Sequence, residues 1–212
     1  MVLRFLLLDV DNTLYARSCG IVERIDRQID AYVVERVGIA PAAVAPLRAT
    51  LRRDHGTTLR GLMHRHAIDP DDYLRFVHAV ELADVLRADP VLAAMLARIR
   101  LPKVAVTNAS TSHARAVLGH LGIDHHFQRV YALEQMGYVP KPAPEAFARV
   151  LADLPATAAE CVLVEDSGPN LASARRLGMR TVHVHDGEPR HPDAELGIGS
   201  ILHLEDALAS LG

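Results

Sequence analysis

Short apolar runs joined by stretches of helical spacing restrict this chain to very few architectures. The runs are Leu3–Leu8, Lys103–Thr107, Arg129–Leu133, Cys161–Val164 and Thr181–His185. Each is far too short to cross a membrane. The first is apolar throughout rather than alternating, the pattern of a strand buried on both faces. Five such strands connected by helices predict an α/β fold with a doubly wound parallel sheet.

The alternation is interrupted after the first strand. Ile21, Val22, Ile25, Ile29, Tyr32, Val33 and Val37 keep helical spacing, and Gly38 is a fitting stop. A second helix is predicted over 42–53, weakened by Pro46. Thr57 or Thr58 would cap a third running to His66, and Asp69-Pro70 reads as the cap and first residue of a fourth. Residues 16–88 are therefore expected to be all-helical. Farther on, helices are expected over 91–99, 112–121 and 144–154, from after Asn170 to Leu177, and over 204–211. The Gly-, Pro- and charge-rich stretch 186–199 reads as a loop.

Composition removes several function classes. Of 212 residues, 50% are apolar, enough for a substantial core. The formal net charge of −3 gives no electrostatic case for a nucleic acid polymer or an anionic membrane. No signal-type segment is apparent, so a cytoplasmic location is expected. Cys19 and Cys161 have no metal-ligand spacing, and Cys161 reads as a reduced, buried thiol. The histidines at 64 and 66, 125 and 126, and 183 and 185 lack a partner set at zinc spacing. Alternation puts His183 and His185 on one strand face, where packing or a rim hydrogen bond explains them. Of the 23 basic residues only Lys103 and Lys141 are lysine. A compact ammonium does what a planar guanidinium cannot at a tight point contact.

Polar residues stand where each strand stops. Asp9 and Asp11 follow the first, Thr107 and Asn108 the second, and Glu165 and Asp166 the fourth; Lys141 lies in the Pro-bounded stretch after the third. Taken alone, Asp9-Val10-Asp11-Asn12 also suits a polar turn, and Lys141 a surface loop. In open α/β sheets, however, the carboxyl ends of the strands share one rim where ligands bind. Charge buried at such a rim needs a partner. Three or more acids, a hydroxyl and an ammonium suit a phosphoryl group and a divalent cation, Mg²⁺ in particular.

The order of these groups resembles the four motifs of the haloacid dehalogenase superfamily, and the resemblance covers essentially the whole chain. It implies a Rossmann-like catalytic core formed by residues 1–15 and 89–212, with an all-helical cap at 16–88. It further implies that Asp9 is a nucleophile forming an aspartyl-phosphate, and that Asp11 is general acid and then general base. Thr107 would bind the phosphoryl group and Lys141 would neutralise it. Mg²⁺ would be held by Asp9, the Asp11 carbonyl and Asp166, with Glu165 direct or through water. Asn108 would offer its backbone N–H to the phosphate, because a helix begins just after it.

Within the predicted cap, the tracts Arg53–Leu62 and His66–Tyr73 resemble a subgroup of pyrimidine 5′-nucleotidases. That likeness makes Arg60 and His55 candidate substrate contacts; a solvated helix face explains them equally well. The expected function is Mg²⁺-dependent hydrolysis of a small phosphorylated metabolite, a nucleoside 5′-monophosphate and preferably a pyrimidine one. Alternatives are a phosphatase of another metabolite, a sugar phosphomutase with the same core residues, and a non-enzymatic phosphate-binding module. A dehalogenase lacks the second acid that Asp11 supplies. A phosphonate hydrolase of this family needs a cap lysine, and 16–88 contains none. Oligomeric state is not legible.

Overall fold

A computed structural model describes residues 2–211. The strands are β1 (Phe5–Leu8), β2 (Lys103–Val106), β3 (Phe127–Tyr131), β4 (Cys161–Glu165), β5 (Arg180–Val184) and β6 (Leu196–Ile198). They form one parallel sheet in the order β3-β2-β1-β4-β5-β6. The helices are α1 (Ile21–Glu35), α2 (Pro41–His55), α3 (Thr58–His66), α4 (Pro70–Val77), α5 (Pro90–Arg98), α6 (Thr111–His120), α7 (Pro144–Asp153), α8 (Gly168–Arg176) and α9 (Leu204–Ser210). The Rossmann-like α/β reading of the sequence is therefore what the chain adopts.

Two differences from the sequence reading have physical causes. β6 lies inside the stretch read as a loop. It is three residues long with a central glycine, too little for any periodicity to register, and it gains strand geometry by pairing along β5. β3 begins and ends two residues earlier than expected. Phe127 pairs with Lys103, whereas Leu133 leaves the ladder to donate its N–H to the Ala109 carbonyl.

The period of two along the central strands builds two separate cores. Leu6 and Leu8 face a cluster with α5, α6 and α9; Phe5 and Leu7 face the other, with α7. Tyr32, Leu51, Leu62 and Tyr73 from α1–α4 belong to that second cluster, so one layer of apolar side chains joins the sheet and the helical insertion. Inside the insertion, Arg48 is buried and pairs with Asp26 and Asp30. Asp69 caps α4 through the Asp71 N–H, as its position before Pro70 implies.

α3 crosses α2 at Gly61, where an added Cβ would stand 2.6 Å from Leu51 Cβ and Cδ2. Leu51 is fully buried and cannot retreat. Alanine's better helix propensity offsets only part of that clash, so Gly61→Ala should destabilise by about 1–3 kcal/mol. Denaturant unfolding with an unchanged m-value checks this; equal or raised stability would mean that the two helices are free to move apart.

Candidate active site

β1 and β4 are neighbours at the point where the strand order reverses, the position at which doubly wound sheets bind ligands. Asp9 follows β1, and its N–H donates to the Val164 carbonyl at 3.0 Å, which fixes it beside the end of β4. Asn12 then adopts a left-handed conformation (φ 60°), a geometry asparagine tolerates better than most residues. The turn carries Thr13 back, and its hydroxyl donates to Asp9 Oδ2 at 2.9 Å.

Lys141 is the centre of the charge arrangement. Its Nζ donates to Asp9 Oδ1 (2.8 Å), Glu165 Oε2 (2.7 Å) and the Val106 carbonyl (2.6 Å). These use all three protons of a buried ammonium. Asn108 holds the loop in register: its Nδ2 donates to the Lys141 carbonyl and its Oδ1 accepts from the Lys141 N–H, at 2.9 and 2.8 Å. Sequence reading expected only the Asn108 backbone to matter, whereas the side chain clamps the lysine. Thr107 is buried beside it, and its Oγ1 accepts from the Ala109 N–H at 3.0 Å. α6 itself begins at Thr111, capped by Ser110, three residues beyond Asn108.

Ligand-capable oxygens of Asp9, Glu165 and Asp166 lie within 4.8 Å of one another. An all-carboxylate set of this kind suits a hard cation such as Mg²⁺. Charge points the same way. Burial, with the nearby Glu165 charge, pushes Asp9 up to about 7 despite Lys141. Burial likewise raises Glu165 and Asp166 above the usual carboxylate range. Lys141 is raised as well, because its two acids outweigh the cost of burying it. The acids outnumber the buried ammonium, an excess of negative charge that a divalent cation would offset. Outside this group, Arg17 reaches Asp166 from an exposed position at 3.4 Å.

Asp11 is held apart from that cluster. Tyr15 donates to its Oδ1 at 2.7 Å, and His113 Nε2 lies 2.9 Å from the same oxygen. Burial opposes its charge, but these hydrogen bonds win and the carboxyl stays below its ordinary range. His78, just past α4, stacks on the His113 ring with centroids 4.8 Å apart. Sequence reading missed Tyr15, His78 and His113. The available signal for His113 was a polar residue on the buried stripe of α6 with Ala114, Val117 and Leu118.

A cleft of about 440 Å³ opens over these groups; Asp9, Asp11, Thr107, Asn108, Lys141, Glu165 and Asp166 all line it. Gly56, Thr57 and His78 of the helical insertion form part of its wall. Candidate contacts His55 and Arg60 are not among its lining residues. Arg60 is exposed, and His55 stacks on His64 with centroids 5.0 Å apart. Lys103, the other lysine, is structural: its Nζ donates to the carbonyls of Ile99 and Leu101. His183 makes the rim hydrogen bond expected of it, to the Asp166 carbonyl at 3.1 Å.

Buried charge at this density is costly, and it persists where chemistry uses it. Fold and site together define an α/β enzyme whose centre is built from carboxylates at strand ends. The sequence narrows this class: a family model for haloacid dehalogenase-like hydrolases matches residues 3–178, and the chain belongs to that family. It is 33% identical over 85 residues to fructose-1-phosphate phosphatase YqaB of Escherichia coli, a match spanning 40% of this chain and 45% of that protein. It is 28% identical over 199 residues to protein CbbY of Cupriavidus necator, spanning 84% of this chain and 76% of the relative. Among solved structures, the magnesium-bound hydrolase YfnB from Bacillus subtilis superposes with a TM-score of 0.67 at 18% identity, covering 99% of this chain and all of that one. A phosphatase of the same superfamily from Thermococcus onnurineus gives 0.67 at 18% identity over 97% and 98% of the two chains. These structural likenesses carry the fold. Among the described residues no helix is long and apolar enough to cross a membrane.

Proposed function

We propose that this hydrolase is a Mg²⁺-dependent phosphomonoesterase that works through an aspartyl-phosphate on Asp9. The observation that carries the reading is the division of labour between the two aspartates. Asp9 is fixed by Lys141 and Thr13 beside Glu165 and Asp166, whereas Asp11 stands on separate hydrogen bonds facing the same cleft. A nucleophile and an acid/base group need such unlike surroundings.

In this reading an oxygen of Asp9 attacks phosphorus as the bond to the leaving oxygen breaks, and Asp11, which must first take up a proton against the hydrogen bonds that keep it ionised in the resting site, delivers that proton to the leaving oxygen. Asp11 then accepts a proton from the water that attacks the aspartyl-phosphate, which releases phosphate and restores Asp9. Thr107 holds a phosphoryl oxygen, and Lys141, whose three protons are already on Asp9, Glu165 and the Val106 carbonyl, offsets through its charge the negative charge that moves onto the phosphoryl group. Asp9, the Asp11 carbonyl and Asp166 would hold Mg²⁺, with Glu165 kept near them by Lys141. When bound, the ion neutralises phosphoryl charge and lowers the barrier to in-line attack.

Residues 16–88 act as a cap that closes on the leaving group and excludes water. A second cavity, about 270 Å³, continues from the cleft past Gly56, Thr57 and His78. Its walls include Ile25, Leu59, Tyr73 and Leu133 together with the charged Asp26, Arg48 and Arg52, a lining suited to a ring carrying polar substituents. This lining is compatible with a nucleoside 5′-monophosphate, and the pyrimidine preference rests on the likeness of the tracts at 53–62 and 66–73 to pyrimidine 5′-nucleotidases. The likeness to the fructose-1-phosphate phosphatase favours a sugar phosphate as the second reading.

Phosphate release from UMP, CMP, AMP, fructose 1-phosphate, other sugar phosphates and phosphoglycolate, with Mg²⁺ or with EDTA, tests both. Release that favours UMP and CMP and stops with EDTA is expected. Preference for a sugar phosphate would transfer the assignment, and EDTA-resistant release would remove the cation. Mg²⁺ at 100 times its dissociation constant should also stabilise the fold by about 2.7 kcal/mol, read as a thermal shift.

A further inference from the structure

Asp11 is gripped asymmetrically. Tyr15 and His113 both bond Oδ1, and among the described residues Oδ2 has no hydrogen-bond donor. The carboxyl group lies on the cleft wall, so the unbonded oxygen is the one available to a leaving group. For its Nε2 to donate, His113 carries the proton there, and its Nδ1 is buried with no partner. Nothing in α6 packing asks for an imidazole at this point: its neighbours on the stripe are Ala114, Val117 and Leu118, and His113 leaves a ring nitrogen unsatisfied. His78 covers the ring from the insertion side, with its own Nδ1 bonded to the Leu74 carbonyl at 3.0 Å.

We propose that His113 is a positioning residue for the acid/base step: with Tyr15 it pins Asp11 Oδ1 so that Oδ2 meets the leaving oxygen, and His78 seats the imidazole. This rests on the role given to Asp11 above. Removing the Nε2 donor frees the Asp11 carboxyl to rotate and costs proton delivery, while phosphoryl binding is left intact. The loss therefore depends on how much the leaving group needs a proton. An alkoxide needs one; a nitrophenolate leaves without help.

The experiment measures single-turnover release of the leaving group from a nucleoside monophosphate and from p-nitrophenyl phosphate. His113→Leu, His113→Gln and Asp11→Asn are compared with the wild type. His113→Leu should lose on the order of 10²-fold with the alkyl ester and less than about tenfold with the nitrophenyl ester. His113→Gln, whose amide restores a donor, should recover the alkyl ester to within about tenfold of wild type. The ratio of the two substrates does not depend on how much variant is folded. Equal losses on both esters for His113→Leu, or a glutamine variant no better than leucine, would overturn the proposal. If Asp11→Asn itself shows no leaving-group dependence, the acid role of Asp11 falls and the proposal with it. If it does show one while His113→Leu does not, only the role of His113 is lost.

Discussion

Asp9→Asn is expected to abolish turnover, by on the order of 10⁴-fold or more, while leaving the protein folded. The carboxamide keeps the shape of the side chain. Its oxygen still accepts from Lys141, and the Thr13 hydroxyl rotates to accept from the new NH₂ in place of donating. Glu165 remains as a partner for the ammonium, so no buried charge is stranded. What disappears is the nucleophile, since a neutral amide oxygen does not attack phosphorus at a useful rate. Trapping of a phosphorylated enzyme from radiolabelled substrate should fail in this variant and succeed in the wild type. Activity within tenfold of wild type would refute the assignment.

Lys141→Met is expected to be the most damaging substitution for the fold. The ammonium is buried between two carboxylates, and removing one partner of a buried pair typically costs about 3–5 kcal/mol. For a chain of this size that is a fall in melting temperature of roughly 10 °C. The effect carries a pH signature. Asp9, raised by burial from 3.8 to about 7, binds protons more tightly in the folded state than in the unfolded one. Its contribution to stability is complete below its ordinary value and is lost as pH rises through about 7. Without Lys141 that loss deepens, so the variant should lie closest to wild type in mild acid and farthest from it in mild alkali. Differential scanning calorimetry across that range reads the trend; a constant gap would show that the lysine is not stabilising ionised carboxylates.

Sequence carried the architecture because buried strands must be apolar on both faces and helices must repeat at 3.6 residues. The runs at Leu3–Leu8 and Cys161–Val164, short, apolar throughout and followed by polar residues, fit a strand buried on both faces, and both form one. Asp9, Thr107, Lys141, Glu165 and Asp166 were legible for the converse reason: they are polar at or just beyond the ends of apolar runs, and the parallel sheet brings those ends together. Pairings across sequence were not legible. That Asn108 clamps the Lys141 backbone, or that His113 on one helix meets Asp11 on a strand end, depends on register and helix rotation. Neither leaves a periodic trace. β6 escaped because three residues with a central glycine carry no pattern. His55 and Arg60 were read from local likeness; from the same tract, the cleft lining includes Gly56 and Thr57, the connection between α2 and α3.

The neighbours of β1 have a consequence for biosynthesis. Leu6 lies between Lys103 on one side and Val162 on the other, so β1 gains neither of its neighbours until about a hundred residues or more have followed it. During synthesis it waits, apolar, for β2 to pair along one edge and then for β4 to pair along the other. Such a nascent strand invites aggregation, and its long-range closure slows folding. The helices that follow immediately, sharing an apolar layer with Phe5 and Leu7, are the earliest cover available to it. The insertion that lines the cleft in the finished protein would thus also shelter, for a time, the strand that leads into Asp9.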